Sequence, residues 1–216
     1  FSYSALTIAP DAAQYLSASL KPLDIFLDTN FIFGLLEWHD SPQNQVCQEL
    51  LRIAKDNNLP FKFYFFEDTL RELNDWLTSQ ASFWLSGSFA PGISRAMSKT
   101  EGVPLFVRRY HEENASEPLN VEMYLERFLN IGAKLESLGL TLFREPEQDA
   151  ENIHTGGERL AAYEEFLKSR PKWKERSNAS LRHDAVLLGI IDRRRTASES
   201  PLTSRCLLLT IDSHLI

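Results

Sequence analysis

The stretch Asp24-Ile25-Phe26-Leu27-Asp28-Thr29-Asn30-Phe31-Ile32-Phe33 decides the reading of this chain. Ile25, Phe26 and Leu27 are consecutive apolar residues rather than an alternating set. That pattern suits a strand covered on both faces, as in a parallel sheet clothed by helices. Asp28 closes the run, and Thr29 and Asn30 are residue types that start helices well. Three more short runs read as strands. They are 61–66 (Phe-Lys-Phe-Tyr-Phe-Phe), 140–143 (Leu-Thr-Leu-Phe) and 206–210 (Cys-Leu-Leu-Leu-Thr), the last again nearly continuous in apolar residues.

Helical spacing fills the gaps between these runs. Residues 46–56 carry Val46, Leu50, Ile53 and Ala54 on one stripe, and 69–85 carry Leu70, Leu73 and Leu77. Similar stripes run through 121–138, 160–168 and 181–195. Strands alternating with helices predict an α/β fold, a three-layer sandwich around a central, mainly parallel sheet. Residues 86–179 hold one weak strand and several helices, punctuated by Pro91-Gly92, Pro104, Pro118, Pro146, Gly156-Gly157 and Pro171. They are expected to form a long helical insertion on a core of about 22–85 and 180–216, within a single domain spanning 1–216. The first twenty residues read as a helix or arm leading into that core.

The 216 residues are 43% hydrophobic and 25% charged, which fits a soluble globular chain and excludes wholesale disorder. A net charge of −7 argues against a simple polycationic nucleic-acid coat. It leaves room for an enzyme that clusters carboxylates around a metal and keeps a local basic patch for substrate. No run approaches the roughly 20 apolar residues that cross a bilayer, so no membrane partner is expected. Cys47 and Cys206 lie far apart in sequence, which points to a reducing, cytoplasmic setting with buried thiols. The chain opens on Phe rather than Met, and is read as a piece of something longer.

The placement of four acidic residues matters more than their number. Asp28 ends the first strand, and Asp212 follows the last. Sites in open α/β sheets form at the carboxyl ends of strands. On a helix over 181–195, Asp184 shares a face with Leu181, Ala185, Leu188 and Ile191, where an uncompensated carboxylate is costly. Glu72 lies early in the helix after the aromatic strand. Four such oxygen donors at one sheet edge would suit Mg²⁺ or Mn²⁺.

Together these segments resemble the PIN-domain metallonucleases. The resemblance rests on Phe26-Leu27-Asp28-Thr29-Asn30 with Phe31-Ile32-Phe33, then Leu70-Arg71-Glu72-Leu73, then His183-Asp184-Ala185, then Thr210-Ile211-Asp212. It implies that Asp28, Glu72, Asp184 and Asp212 are catalytic metal ligands for Mg²⁺ or Mn²⁺. It further implies that Asn30 and Thr210 orient those ligands from behind, and that a metal-activated water hydrolyses phosphodiesters, in RNA before DNA. The gap from Glu72 to Asp184 is longer than the family usually shows. A rival reading from another class is a catalytically inactive PIN-like module acting through protein or nucleic-acid contacts. Further domains, a protein partner or an oligomer are compatible with either.

Each residue also has a plainer role open to it. Asp28 suits a helix cap, and Thr69-Leu70-Arg71-Glu72 fits a capping box. Asp184 suits an ion pair with Arg182 or Arg193, and Asp212 suits a turn. Lys168, Arg170, Lys172, Lys174 and Arg176 surround Trp173, with Arg182 and Arg193-Arg194-Arg195 beyond. Lys172, Trp173, Lys174, Arg176 and Arg182 are the candidate nucleic-acid contacts, and a solvated helix face is the alternative. His39-Asp40 and His183-Asp184 resemble the signature of HD phosphohydrolases, but five histidines and the strand signals argue against that all-helical fold.

Overall fold

The computed structural model describes residues 20–144, 157–169, 178–195 and 204–211. The strands are β1 (Leu23–Leu27), β2 (Phe61–Phe66), β3 (Leu140–Phe143) and β4 (Cys206–Leu209). They form one parallel sheet in the order β3-β2-β1-β4, flanked by helices. This is the arrangement expected of a three-layer α/β sandwich. Chain order runs outward from β1 to β2 and β3, and then returns to the other side of β1 with β4. The β1–β4 edge is therefore the place where the winding reverses.

The helices are α1 (Thr29–Leu36), α2 (Asn44–Asp56), α3 (Glu67–Trp84), α4 (Pro91–Met97), α5 (Leu105–Ser116), α6 (Val121–Glu126), α7 (Ile131–Ser137), α8 (Gly157–Lys168) and α9 (Asn178–Arg194). The chain divides into two compact units. Unit 1 comprises Phe1–Asp28, Leu50–Tyr64 and Phe143–Ile216; unit 2 comprises Thr29–Glu49 and Phe65–Leu142. Helices α4 to α7, from the expected insertion, all lie in unit 2. No helix among the described residues is long and apolar enough to cross a membrane.

In unit 1, β1 is buried along nearly its whole length, with only Asp24 half-buried. Its register sets Ile25 beside Phe63 and beside Leu207. Apolar side chains on both faces of a central strand explain why the run does not alternate. β4 departs from the expectation of a strand covered on both faces. Only Cys206 is buried and Leu207 to Leu209 are half-buried; among the described residues β4 ends the sheet order and has a strand neighbour on one side. Arg194 pairs with Asp24 at 3.8 Å and lays its guanidinium 4.6 Å from the Phe143 ring centre. That residue of the basic run is thereby held against the apolar surface. Lys168 likewise bridges Glu164 one helical turn away, at 2.7 Å.

Unit 2 is built around rings. Trp38 stacks nearly parallel on Trp76, at 5.4 Å and 13°. Phe106 and Phe128 meet Trp38 from other sides, and Tyr124 packs on both of these phenylalanines. Each pair contributes about 0.5–1.5 kcal/mol beyond simple burial. The polar tips are satisfied: Tyr124 donates to the Phe106 carbonyl at 2.7 Å, and Tyr110 to the Leu119 carbonyl at 3.1 Å. A buried polar cluster ties α4 to α5. Asn114 donates to Ser94 Oγ at 2.7 Å, and Ser94 lies 3.0 Å from Nδ1 of His111, which is fully buried.

Two local expectations are corrected. Residues 121–138 are not one helix but α6 and α7, separated by a turn at 127–130. Asn130 accepts from the Ala133 N–H and caps a fresh helix there. The capping box at Thr69 does not form either. The chain passes from β2 into α3 at Glu67, with Phe66 as an N-cap that makes no side-chain bond, and Thr69 is buried within the first turn.

Burial lowers the pKa of both His111 and His39 below the ordinary 6.5. The unfolded chain then binds protons that the folded one refuses. The two histidines are expected to leave unfolding free energy level between about pH 7 and 8 and to make it fall as pH drops from about 6.5 through the lower folded values. Urea titrations across that range, repeated on His111→Gln, check this; a profile unchanged by pH contradicts it. A second expectation concerns Gly34 in α1, where an added Cβ would lie 2.8 Å from Cys47 Sγ. Gly34→Ala should cost about 1–3 kcal/mol despite its better helix propensity. Adding Cys47→Ala should recover part of that loss in a double-mutant cycle.

Candidate functional site

The acidic edge of unit 1 follows from strand register. Leu27 pairs with Leu209, so the parallel ladder carries Asp28 and Thr210 to adjacent positions just past the strand ends. The Asp28 N–H donates to the Leu209 carbonyl at 3.0 Å. Thr210 Oγ1 donates to Asp28 Oδ2 at 2.7 Å. Asp28 is only 2% exposed. It sits at the carboxyl end of a central strand, beside the strand where the winding reverses, which is the usual place for a site in an open α/β sheet.

Asp184 lies on α9 and is 4% exposed. Tyr163 of α8 donates its hydroxyl to Asp184 Oδ2 at 3.0 Å. Around the pair pack Leu167 and Leu181, with Ala185 and Leu188 at the margin. A carboxylate in an apolar helix stripe needs such a donor to be tolerated. Thr210 and Tyr163 are neutral hydroxyls, which orient a carboxylate without cancelling its charge.

Glu72 belongs to unit 2, half-buried on α3. Its Oε2 accepts from Thr29 Oγ1 at 2.5 Å. Thr29 opens α1 directly after Asp28, and Asn30 is the next residue of that helix. The structure therefore joins the first motif to the second through Thr29 and Glu72, and to the fourth through Asp28 and Thr210.

Several expected site residues lie outside the described set. These are Asp212, one residue past Ile211, and Lys172, Trp173, Lys174 and Arg176. Arg182 lies on α9, with its side chain also outside that set. Among the described residues, no group of three or more His, Cys, Asp or Glu is placed to hold a metal ion. In kind, the donors still suit a hard divalent cation, being buried carboxylates oriented by hydroxyls. The His39-Asp40 pair has other work: His39 stacks on Phe33 at 4.4 Å, and Asp40 pairs with Arg108.

Tyr163 is the partner that sequence reading missed. Its signal was a hydroxyl-bearing ring four residues before Leu167 on one face of α8, which reads as ordinary core. Cys47 and Cys206 are free and buried, and burial pushes both thiols up to about 11, so neither is a nucleophile at neutral pH. Comparison with protein-family models, with curated proteins and with solved structures found no match to this chain.

The Tyr163 bond makes a direct prediction. Tyr163→Phe keeps the ring but leaves the buried Asp184 carboxylate without that donor. Urea unfolding should show a loss of about 1–3 kcal/mol, and Tyr163→Phe with Asp184→Asn should lose less than the sum of the two single changes.

Proposed function

We propose that this chain is a divalent-metal-dependent phosphodiester hydrolase acting on RNA. One observation carries the reading: a nearly fully buried Asp28, oriented by Thr210, at the sheet edge where the winding reverses. Buried carboxylates are held by hydrogen bonds, by ion pairs or by metal ions, and the last of these is the reading taken for Asp28 at this edge. The resemblance to PIN-domain metallonucleases supplies the reaction class and the preference for RNA, and motif order supports it.

In this reading Asp28 and Asp184 hold Mg²⁺ or Mn²⁺, with Glu72 and Asp212 as the remaining expected ligands. Bound there, the ion would neutralise charge on the phosphodiester and acidify a water. Thr210 fixes the direction of one Asp28 oxygen, and Tyr163 does the same for Asp184. Each hydroxyl thus limits which lone pairs face the cation, as supporting groups do at metal sites. Net charge of −7 makes general attraction of a polyanion weak, so substrate contact is assigned to the local basic run at 168–176 and to Arg182.

The test is cleavage of labelled single-stranded RNA and DNA by the full chain, with Mn²⁺ and with EDTA. Metal-dependent RNA cleavage, abolished by Asp28→Asn and by Asp184→Asn, is expected. Thr210→Val should retain cleavage but weaken Mn²⁺ affinity about tenfold by calorimetry. Absence of both cleavage and Mn²⁺ binding overturns the hydrolase reading and leaves the catalytically inactive binding module.

A further inference from the structure

Unit 2 contains a cavity of about 600 Å³ that plays no part in the acidic edge. Among the residues lining it are His39, Asp40, Trp76, Gln80, Glu101 and Arg108. Its size is in the range of small-molecule sites, and it combines an aromatic wall with a few charged groups. We infer that this cavity is a base-binding pocket selective for guanine, with Trp76 as the stacking platform, Glu101 as the acceptor of the base's donor edge and Arg108 as the donor to its carbonyl side.

The platform is stiff before any ligand arrives. Trp76 stacks on Trp38 and makes T-shaped contacts with Phe33, His39 and Phe106. An aromatic ring held in this way costs little ordering when a flat base stacks on it, and stacking is the common currency of unpaired-base recognition.

The polar groups then select among bases. Guanine presents two adjacent N–H donors on its Watson–Crick edge, with O6 beside them and N7 beyond. One carboxylate can take both donors in parallel, and a guanidinium suits O6 and N7. Adenine offers a single exocyclic donor flanked by ring nitrogen acceptors, which a carboxylate repels. Cytosine likewise pairs one donor with an acceptor, and uracil flanks one donor with two carbonyls. Glu101 makes no ion pair among the described residues and stands in an exposed turn ahead of Gly102, whose φ is +80°. Arg108 is anchored by Asp40 and its side chain is 23% exposed, while its Nε–H is buried and has no acceptor among the described residues. Asp40 thus holds the guanidinium in place and offsets its charge. With Glu101, Asp40 and Arg108 together, the lining carries a net negative charge, so a neutral base fits better than a free phosphate.

The inference stands apart from the metal centre and is tested without metal. Ligand-observed NMR on the full chain in EDTA would compare guanosine, inosine, adenosine, cytidine and uridine. Inosine is guanosine without the exocyclic amino group, so it isolates one of the two donors. Guanosine should bind at least about tenfold more tightly than inosine or adenosine. Glu101→Gln, an exposed change whose fold is checked by thermal unfolding, should erase the guanosine–inosine difference. Absence of saturable guanosine binding, equal binding of guanosine and inosine, or a difference that survives Glu101→Gln overturns the proposal. Guanosine binding without nuclease activity would sink only the metal reading, and cleavage without guanosine binding would sink only this pocket.

Discussion

Parallel pairing of β1 with β4 sets Leu27 against Leu209 and, one step further along the ladder, brings the Asp28 carboxylate to the Thr210 hydroxyl. Backbone hydrogen bonds between strands therefore decide which side chains meet at the sheet edge. A one-residue slip would turn each side chain of β4 to the opposite face and take Thr210 away from Asp28. The apolar burial of β1 holds the register, because Ile25, Phe26 and Leu27 have nowhere else to go. Hydrophobic packing at the centre of unit 1 is thus converted into placement of a polar group at its rim.

The same logic is used differently in unit 2. There the core is a mesh of tryptophan, phenylalanine and tyrosine rings, and the residues at its edge are positioned by what those rings touch. His39 leans on Phe33, and Trp76 leans on Trp38. The ion pairs joining α5 to the segment after α1, Arg108 with Asp40 and Arg109 with Glu37, are partly exposed and contribute modestly to stability. Their larger effect is to fix which way charged groups face.

All four strands were legible because each is a short apolar or aromatic run bounded by polar residues or turns. The stretch at 24–28 also told that the sheet would be parallel, since a solvated antiparallel strand would have alternated. Local boundaries were harder. Thr69 and Glu72 match a capping box by spacing, yet Glu67 and Asp68 already provide favourable charge at the helix start, and β2 runs into α3 without a loop. The capping-box spacing is thus one that does not act, and the bond of Glu72 to Thr29 spans 43 residues and has no periodic signature. Tyr163 and Asp184 stand 21 residues apart on two helices, and their bond exists only once α8 packs on α9. The cavity lining draws on residues from His39 to Arg108, which no local pattern links.

The near-parallel stack of Trp38 on Trp76 also gives unit 2 an optical identity. Two indoles with centroids 5.4 Å apart and planes 13° from parallel have transition dipoles close enough to couple. Coupled chromophores absorb and rotate light as a pair, so the near-ultraviolet circular dichroism of this chain should carry a signal that neither ring has alone. That signal follows the distance between the two rings rather than the amount of helix. Loosening of the aromatic core would register there even with the helices still formed.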